Sequence, residues 1–377
     1  MNTPSEVNPE EGTVLAVSID FDGAYSRLTS PCVTLKELVE YNPMLYLFCI
    51  EKIEQHGKLI VLTGSNRQSP DIDYTNLILK GKHGSCFDAL RYFTYTLGEK
   101  ASFDTITTSD VIRGLPMGST IERYLKEVEL YKEARLGKRP PEEEEEDYLL
   151  TIADATMLHE NPNIHDLFER EVNTFIDKNK IMLIYLQMHR IASQFPTSNI
   201  IFSFFDDEIE IFDALSNFFN QYKVWIPYNL RLDLHRYSED TIVEAYNTVQ
   251  QGQHPPVENL PHACIEGSGP IDHDYANSFL MIQDMIRTHI LKTLGENPDP
   301  AKLKRKLNSP IEASKHLTEE DVKQIVMKPK GLQIESRVNL SASGHGLFKG
   351  GKIMASEAAN PTPPPLPSLS SADRVDN

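Results

Sequence analysis

Four short polar stretches carry side chains able to do chemistry together: Asp20-Phe21-Asp22-Gly23, Thr63-Gly64-Ser65, Lys180 and Asp206-Asp207. Asp20 with Asp206 or Asp207 offers hard carboxylate oxygens, the donors that suit Mg2+ with several waters retained. A carboxylate beside such a metal can attack phosphorus and divide a hydrolysis into two easier steps through an aspartyl-phosphate. Asp22, two residues on, can protonate the leaving oxygen and later take a proton from water. The Thr63 hydroxyl and the backbone around Gly64 and Ser65 would hold phosphoryl oxygens. The Lys180 ammonium would offset the negative charge that gathers there. Phosphoryl transfer is the chemistry this set can support.

The elements that position these residues are legible as patterns. Residues 13–19 form a short apolar, partly β-branched run that reads as a buried strand ending at Asp20. Asn42-Pro43 opens a helix with Tyr46, Cys49, Ile50 and Ile53 on one face, and Gly57 closes it. A strand over 58–62 then ends at Thr63, so strand, helix and strand argue for parallel pairing. A weaker helix and strand follow over 87–96 and 103–107. From Lys180, the spacing of Ile184, Met188, Ile191 and Phe195 predicts a helix of about four turns. It leads to the almost wholly apolar run 199–205 and Asp206. Phe212, Leu215 and Phe219 mark another helix, 224–234 reads as a strand, and 277–294 as a further helix. Ligands of an open parallel sheet bind outside the carboxyl ends of its strands. Asp20, Thr63 and Asp206 would therefore converge on one rim, with Lys180 facing it. The expected fold class is α/β, a Rossmann-like parallel sheet flanked by helices.

Composition bounds the rest. The net charge of the 377 residues is -18, which repels phosphate backbones and argues against nucleic acid as the main partner. The four cysteines are scattered, without metal-ligand or disulfide spacing, and fit a reducing compartment. No apolar run reaches 18 residues and no signal peptide opens the chain, so a cytoplasmic protein without a transmembrane segment is expected. The expected organisation is a flexible N-terminus (1–12), a catalytic domain (13–295) with a helical insertion near 111–173, an extension (296–352) and a Pro/Ser-rich disordered tail (353–377). Within the insertion, the acid run Glu142 to Asp147 reads as a solvated loop. Thr318 to Asp321 has capping-box form for one short helix in the extension. Gly346 to Lys352 fits GxxxxGK, but Ile353 stands where Ser or Thr is needed and a proline tail follows instead of a helix. The stretch 361–367, PTPPPLP, suits an SH3-type partner, an export signal or a plain disordered tail.

Together SIDFDG (18–23), VLTGS (61–65), Lys180 and FFDD (204–207) resemble the haloacid dehalogenase superfamily of phosphotransferases, in that family's order, over about residues 13–235. The resemblance implies Asp20 as nucleophile, Asp22 as general acid and base, Thr63 on phosphate and Lys180 steadying the phosphoaspartate. It also implies Mg2+ held by Asp20, the backbone carbonyl of Asp22, Asp206 and Asp207. More narrowly, LTGSNRQS (62–69), DKNKIMLIYLQMHRIA (177–192) and FFDDEIEIFDAL (204–215) resemble HAD-type effectors that Legionella-like bacteria deliver by type IV (Dot/Icm) secretion. Some of these are phosphotyrosine phosphatases acting on host proteins, which implies a phosphorylated host substrate. Ala24-Tyr25 and Glu208 depart from the usual pattern, so the alternative is a non-catalytic scaffold that binds a host protein.

Several residues carry competing readings. Lys178 competes with Lys180, which is favoured by its register with the apolar helix face. Asp207 is a metal ligand or the N-cap of the next helix. Arg67 is a phosphate contact or a surface arginine, and His189 reads as a packing histidine.

Overall fold

The computed structural model describes residues 12–26, 34–80, 84–136, 150–163, 176–251, 262–295 and 309–328. The acid run, the GxxxxGK stretch, the tail and residues 1–11 lie outside these.

Every residue of β1 (Val14–Ile19) is buried, because its two faces are both apolar. Leu15, Val17 and Ile19 enter one hydrophobic cluster while Val14 and Ala16 enter the other. β2 (Leu59–Thr63) is likewise buried throughout, and β4 (Ile200–Asp206) is buried apart from half-buried Ile201; the two flank β1 in parallel on either side. β3 (Ala101–Asp104) extends the sheet beyond β2, and β5 (Leu230–Arg236) extends it beyond β4, both parallel. β6 (His262–Glu266) closes the far edge antiparallel to β5, giving the order β3-β2-β1-β4-β5-β6. The sheet is thus mixed, where sequence periodicity led to a parallel one.

Helices cover both faces. One layer holds α1 (Leu35–Glu40), α2 (Pro43–His56), α4 (Cys86–Thr96) and α10 (Glu239–Gln250), packed through Leu38, Leu45, Phe48, Leu90, Phe93 and Ile242. The other holds α8 (Ile181–Gln194), α9 (Ile209–Gln221) and α11 (Tyr275–Leu294), packed through Ile184, Met188, Leu215, Phe219, Ile282 and Ile286. Chain direction reverses its sideways progress between β1 and β4, which makes that boundary the switch point of a doubly wound sheet. Within 111–173, α6 (Ser119–Leu136) and α7 (Ile152–His159) share a small core of Ile121, Leu125, Val128 and Leu158, following the short α5 (Thr108–Arg113). α3 (Pro70–Lys80) leads to this region from the loop after β2.

Three local differences have physical causes. Residues 223–225 form a 3-10 turn, and the strand begins only at Leu230, because Pro227 lacks the amide a ladder needs. α2 starts at Pro43 and ends at the left-handed Gly57 as expected, but Asn42 makes no capping bond. Its amide instead donates to the carbonyls of Tyr25 (3.0 Å) and Leu38 (2.7 Å). Residues 309–328, with α12 (Glu319–Met327), pack into the α8/α11 layer through Ile311, Ala313, Leu317, Val322 and Ile325. α12 carries the capping box read at Thr318 and Asp321. Among the described residues no helix is long and apolar enough to cross a membrane.

Candidate active site at the sheet switch point

Strand register brings the site together. Ile19, the last residue of β1, lies opposite Thr63 on one side and Phe205 on the other. One step further, the Asp20 amide donates to the Phe205 carbonyl (2.9 Å), and the Gly64 amide donates to the Ile19 carbonyl (2.8 Å). Asp20 therefore stands between Gly64 and Asp206, residues far apart in the chain.

Oxygens of Asp20, Asp206 and Asp207 all lie within 4.8 Å of one another. Lys180 Nζ sits between the first two, 2.8 Å from Asp20 Oδ1 and 2.6 Å from Asp206 Oδ2. The second Asp206 oxygen accepts the Glu208 amide at 3.0 Å. Three carboxylates facing one ammonium leave two negative charges in a site where Asp20, Asp206 and Lys180 are all nearly inaccessible. Burial is the main cause that pushes Asp20 up to about 7; Lys180 opposes it, and Asp206 and Asp207 add to it. Burial, then the Asp206 charge, raises Asp207 to about 6. Lys180 is raised because its two carboxylates outweigh its own burial. Asp207 is not a helix cap: that position falls to Glu208, and Asp207 Oδ1 is buried with no hydrogen-bond partner.

Two glycines permit this approach. Gly23 has φ +96°, and a Cβ there would stand 2.2 Å from Asp207 Oδ2. A Cβ on Gly64 would lie within 2.9 Å of Phe204, Ser18 and the Ile19 carbonyl carbon, so only glycine lets β2 pass over the end of β1.

Lys180 is the one non-glycine with positive φ among the described residues (φ 60°, ψ 12°). This left-handed conformation costs about 1–2 kcal/mol for a residue with a Cβ, and it occurs at the residue whose ammonium enters the site. Lys178 is exposed, so of the two lysines it is Lys180 that the fold brings to the carboxylates.

The Thr63 carbonyl is held by Gln187 Nε2 (2.8 Å) and Gln68 Nε2 (3.3 Å), while its buried hydroxyl has no hydrogen-bond partner. Ser65 Oγ accepts the Arg67 amide at 3.4 Å, and Gln68 Nε2 donates to the Ser65 carbonyl at 2.6 Å. Ser65 thus shapes the loop.

The Asp22 carboxylate is not among the three that meet. Arg67 takes it in two hydrogen bonds, Nη2 to Oδ1 at 2.8 Å and Nε to Oδ2 at 3.1 Å. Such bidentate geometry is the strongest available to a carboxylate. Arg67 also donates to Asp73 (2.8 Å) and lies over the Phe21 ring, 1% exposed. The surface-arginine reading is therefore corrected: Arg67 is buried and braces Asp22.

Sequence reading passed over three supporting residues. Gln187 links the ends of β1 and β2, accepting from Ser18 Oγ at 2.7 Å while donating to Thr63. Asp73 and Asp177 are buried carboxylates that hold loops. Gln187 carried a signal, a polar residue inside an otherwise apolar helix pattern, whereas Asp73 and Asp177 lie in polar stretches that carry none. His189 is buried as read: Nδ1 accepts the Asp272 amide (3.0 Å), which leaves Nε2–H to donate to the Trp225 carbonyl (3.1 Å). No protein-family model, curated protein or solved structure matches this chain.

Proposed function

We propose that this chain is a metal-dependent phosphomonoester hydrolase of haloacid dehalogenase type, with Asp20 as the residue that accepts the phosphoryl group. The observation that carries the reading is the bridging of Asp20 and Asp206 by Lys180 Nζ, at 2.8 and 2.6 Å, with Asp207 beside them at the switch point.

The residues present fit a divalent cation. Asp20, Asp206 and Asp207 are hard donors, carry two charges beyond what Lys180 balances, and include the unpartnered Asp207 Oδ1. Bound there, Mg2+ would supply positive charge that favours the ionised carboxylates and neutralises phosphoryl oxygens.

The chain's own groups have separable tasks. Lys180 holds Asp20 Oδ1, which leaves Oδ2 for attack on phosphorus. As that bond forms, the bond from phosphorus to the ester oxygen breaks, and Asp22 in its acid form gives the departing oxygen a proton. Asp22 then takes a proton from water as the water oxygen bonds to phosphorus and the bond to Asp20 breaks, releasing phosphate. The unpartnered Thr63 hydroxyl and the loop backbone at Gly64 and Ser65 supply donors for phosphoryl oxygens.

Purified protein is expected to hydrolyse p-nitrophenyl phosphate with Mg2+ and not after chelation, and Asp20→Asn to abolish turnover. Absence of metal-dependent hydrolysis across phosphotyrosine peptides, phosphosugars, nucleotides and phosphoinositides would overturn the reading. The phosphotyrosine peptides test the narrower proposal of a host-directed effector phosphatase.

A second reading, a scaffold that binds a host protein without turnover, has one observation on its side. The Asp22 carboxylate is engaged at both oxygens by Arg67, the atoms a general acid would need. An inactive wild type that nonetheless forms a stable host-protein complex would favour it.

A further inference from the structure

The inference concerns what holds Lys180 in place, and it rests on the reading of Lys180 as a working group. Lys180 occupies the N-cap position of α8, yet its side chain is directed to Asp20 and Asp206 and makes no capping bond. The first amides of a helix need acceptors from elsewhere. Asp177, buried and three residues upstream, provides them. Its Oδ2 accepts the Met182 amide at 3.0 Å, and its Oδ1 accepts the amides of Asn179 and Ala313, each at 3.2 Å.

Ala313 belongs to a segment more than 130 positions away in sequence, and that segment grips the same loop at three further points. The Lys178 amide donates to the Ile311 carbonyl (2.6 Å), the Ile311 amide donates to the Ile176 carbonyl (3.0 Å), and Asn179 Nδ2 donates to Ser314 Oγ (3.0 Å). Ile311 and Ala313 are themselves anchored in the core that includes α8. The loop also borders a small cavity lined by Asn66, Gln68, Ile72 and Phe279. These polar ties hold the left-handed backbone at Lys180 against its intrinsic cost.

We propose that Asp177 and the segment Ile311–Ser314 form the positioning device for Lys180, so that loosening either one withdraws the ammonium from Asp20 and Asp206. Asp177 is a positioning residue, since it touches neither the carboxylates nor a substrate.

Acetylation of lysine amines in the full-length protein, read by mass spectrometry, tests this without turnover. Lys178 is exposed and serves as an internal reference; Lys180 is 3% exposed and should be spared. Asp177→Asn turns an amide N–H toward backbone N–H groups. It is expected to raise Lys180 labelling relative to Lys178 by about tenfold, and to lower kcat by about 10- to 100-fold with KM within about twofold. Ala313→Pro removes one donor to Asp177 Oδ1 and should shift both readouts the same way by less. Lys180 equally shielded in both variants overturns the proposal, even if kcat falls. If Asp177→Asn shows no cooperative melting, Ala313→Pro and Ser314→Ala decide by the same labelling, and unchanged shielding there also overturns it. A wild type inactive on every phosphoester would sink the phosphatase reading, while the labelling would still decide this one.

Discussion

Two lysines in this molecule each contact a pair of aspartates, Lys180 at the start of α8 and Lys328 just after α12, and the two clusters are completed in different ways. Lys328 Nζ stands 3.0 Å from Asp272 and 3.7 Å from Asp274 Oδ2. Asp272 also accepts hydrogen bonds from Tyr185 OH (2.7 Å), from Ser278 Oγ and from the Asp274 amide (3.0 Å). These donors outweigh burial and bring the Asp272 carboxyl below its usual range. Asp20 has its lysine equally close at 2.8 Å, yet burial with two further carboxylates drives it the other way, up to about 7. A lysine contact alone therefore predicts nothing about the carboxylate it touches. What separates the clusters is how the central carboxylate is met: neutral donors surround Asp272, with Asp274 Oδ2 left unpartnered beside it, whereas Asp20 faces two further carboxylates with only Lys180 against them, beside the unpartnered Thr63 and Asp207 atoms. The first has the donor set of a brace, and the second is the cluster on which the proposed metal site rests.

Paired substitutions should break the comparison if it is wrong. Asp20→Asn removes a buried charge, so kcat on p-nitrophenyl phosphate should fall by about 10³-fold or more while the melting temperature holds or rises. Asp272→Asn should do the reverse, costing about 3 kcal/mol in urea unfolding because it takes from the buried end of Lys328 the nearer of its two charge partners. Its kcat should stay close to wild type. Destabilisation by Asp20→Asn, or activity loss from Asp272→Asn in folded protein, would equate the two clusters.

Ligand response sharpens the contrast. Mg2+ at about 100 times its Kd should stabilise the wild type by about 3 kcal/mol, read as a rise in melting temperature. Asp207→Asn should cancel most of that rise, and Asp272→Asn should leave it intact. If no divalent cation shifts the melting curve, the rim does not bind one.

pH separates the clusters by sign. Burial lowers His189, next to Asp272, to about 4. The folded state thus binds its proton less readily than the unfolded chain, whose histidine titrates near 6.5. Stability from this site is complete above about 6.5 and is lost as pH falls toward 4, by on the order of 3 kcal/mol. Asp20, raised to about 7, works oppositely in metal-free protein: its penalty is complete above about 7 and is relieved as pH falls toward 4. Urea titrations between pH 8 and 4 in chelator should therefore show a steeper acid loss for Asp20→Asn than for wild type, and a shallower one for His189→Gln. Parallel profiles for all three would refute both assignments.

The elements were legible because their signals are local. The two-sided apolar runs at 14–19 and 200–206 can only be buried strands, and the 3.6-residue spacing after Lys180 fixes α8. The antiparallel β6 was not legible, since five residues at a sheet edge carry little pattern. Nor was the Pro227 break visible inside an otherwise strand-like stretch. At the site, residue types pointed to Asp20, Thr63, Lys180 and Asp206 because each ends or opens an element. Arg67 was ambiguous because its partners, Asp22 and Asp73, are set by tertiary folding rather than spacing. Asp177 was invisible for the same reason: its acceptors serve amides on two segments that only the fold brings together.

The smallest expected effect isolates one hydroxyl. Thr63 Oγ1 is buried and unpartnered, so in a merely structural loop it would be a cost, and valine, its isostere, would be neutral or stabilising. As a phosphoryl donor it acts only when substrate is present. Thr63→Val should therefore keep or raise the melting temperature while lowering kcat/KM by about tenfold, the worth of one hydrogen bond of roughly 1.4 kcal/mol. Thr63→Ser should restore most of the activity. An unchanged kcat/KM in the valine variant would remove Thr63 from the site and leave its unpaired hydroxyl a packing compromise like that of Ser203.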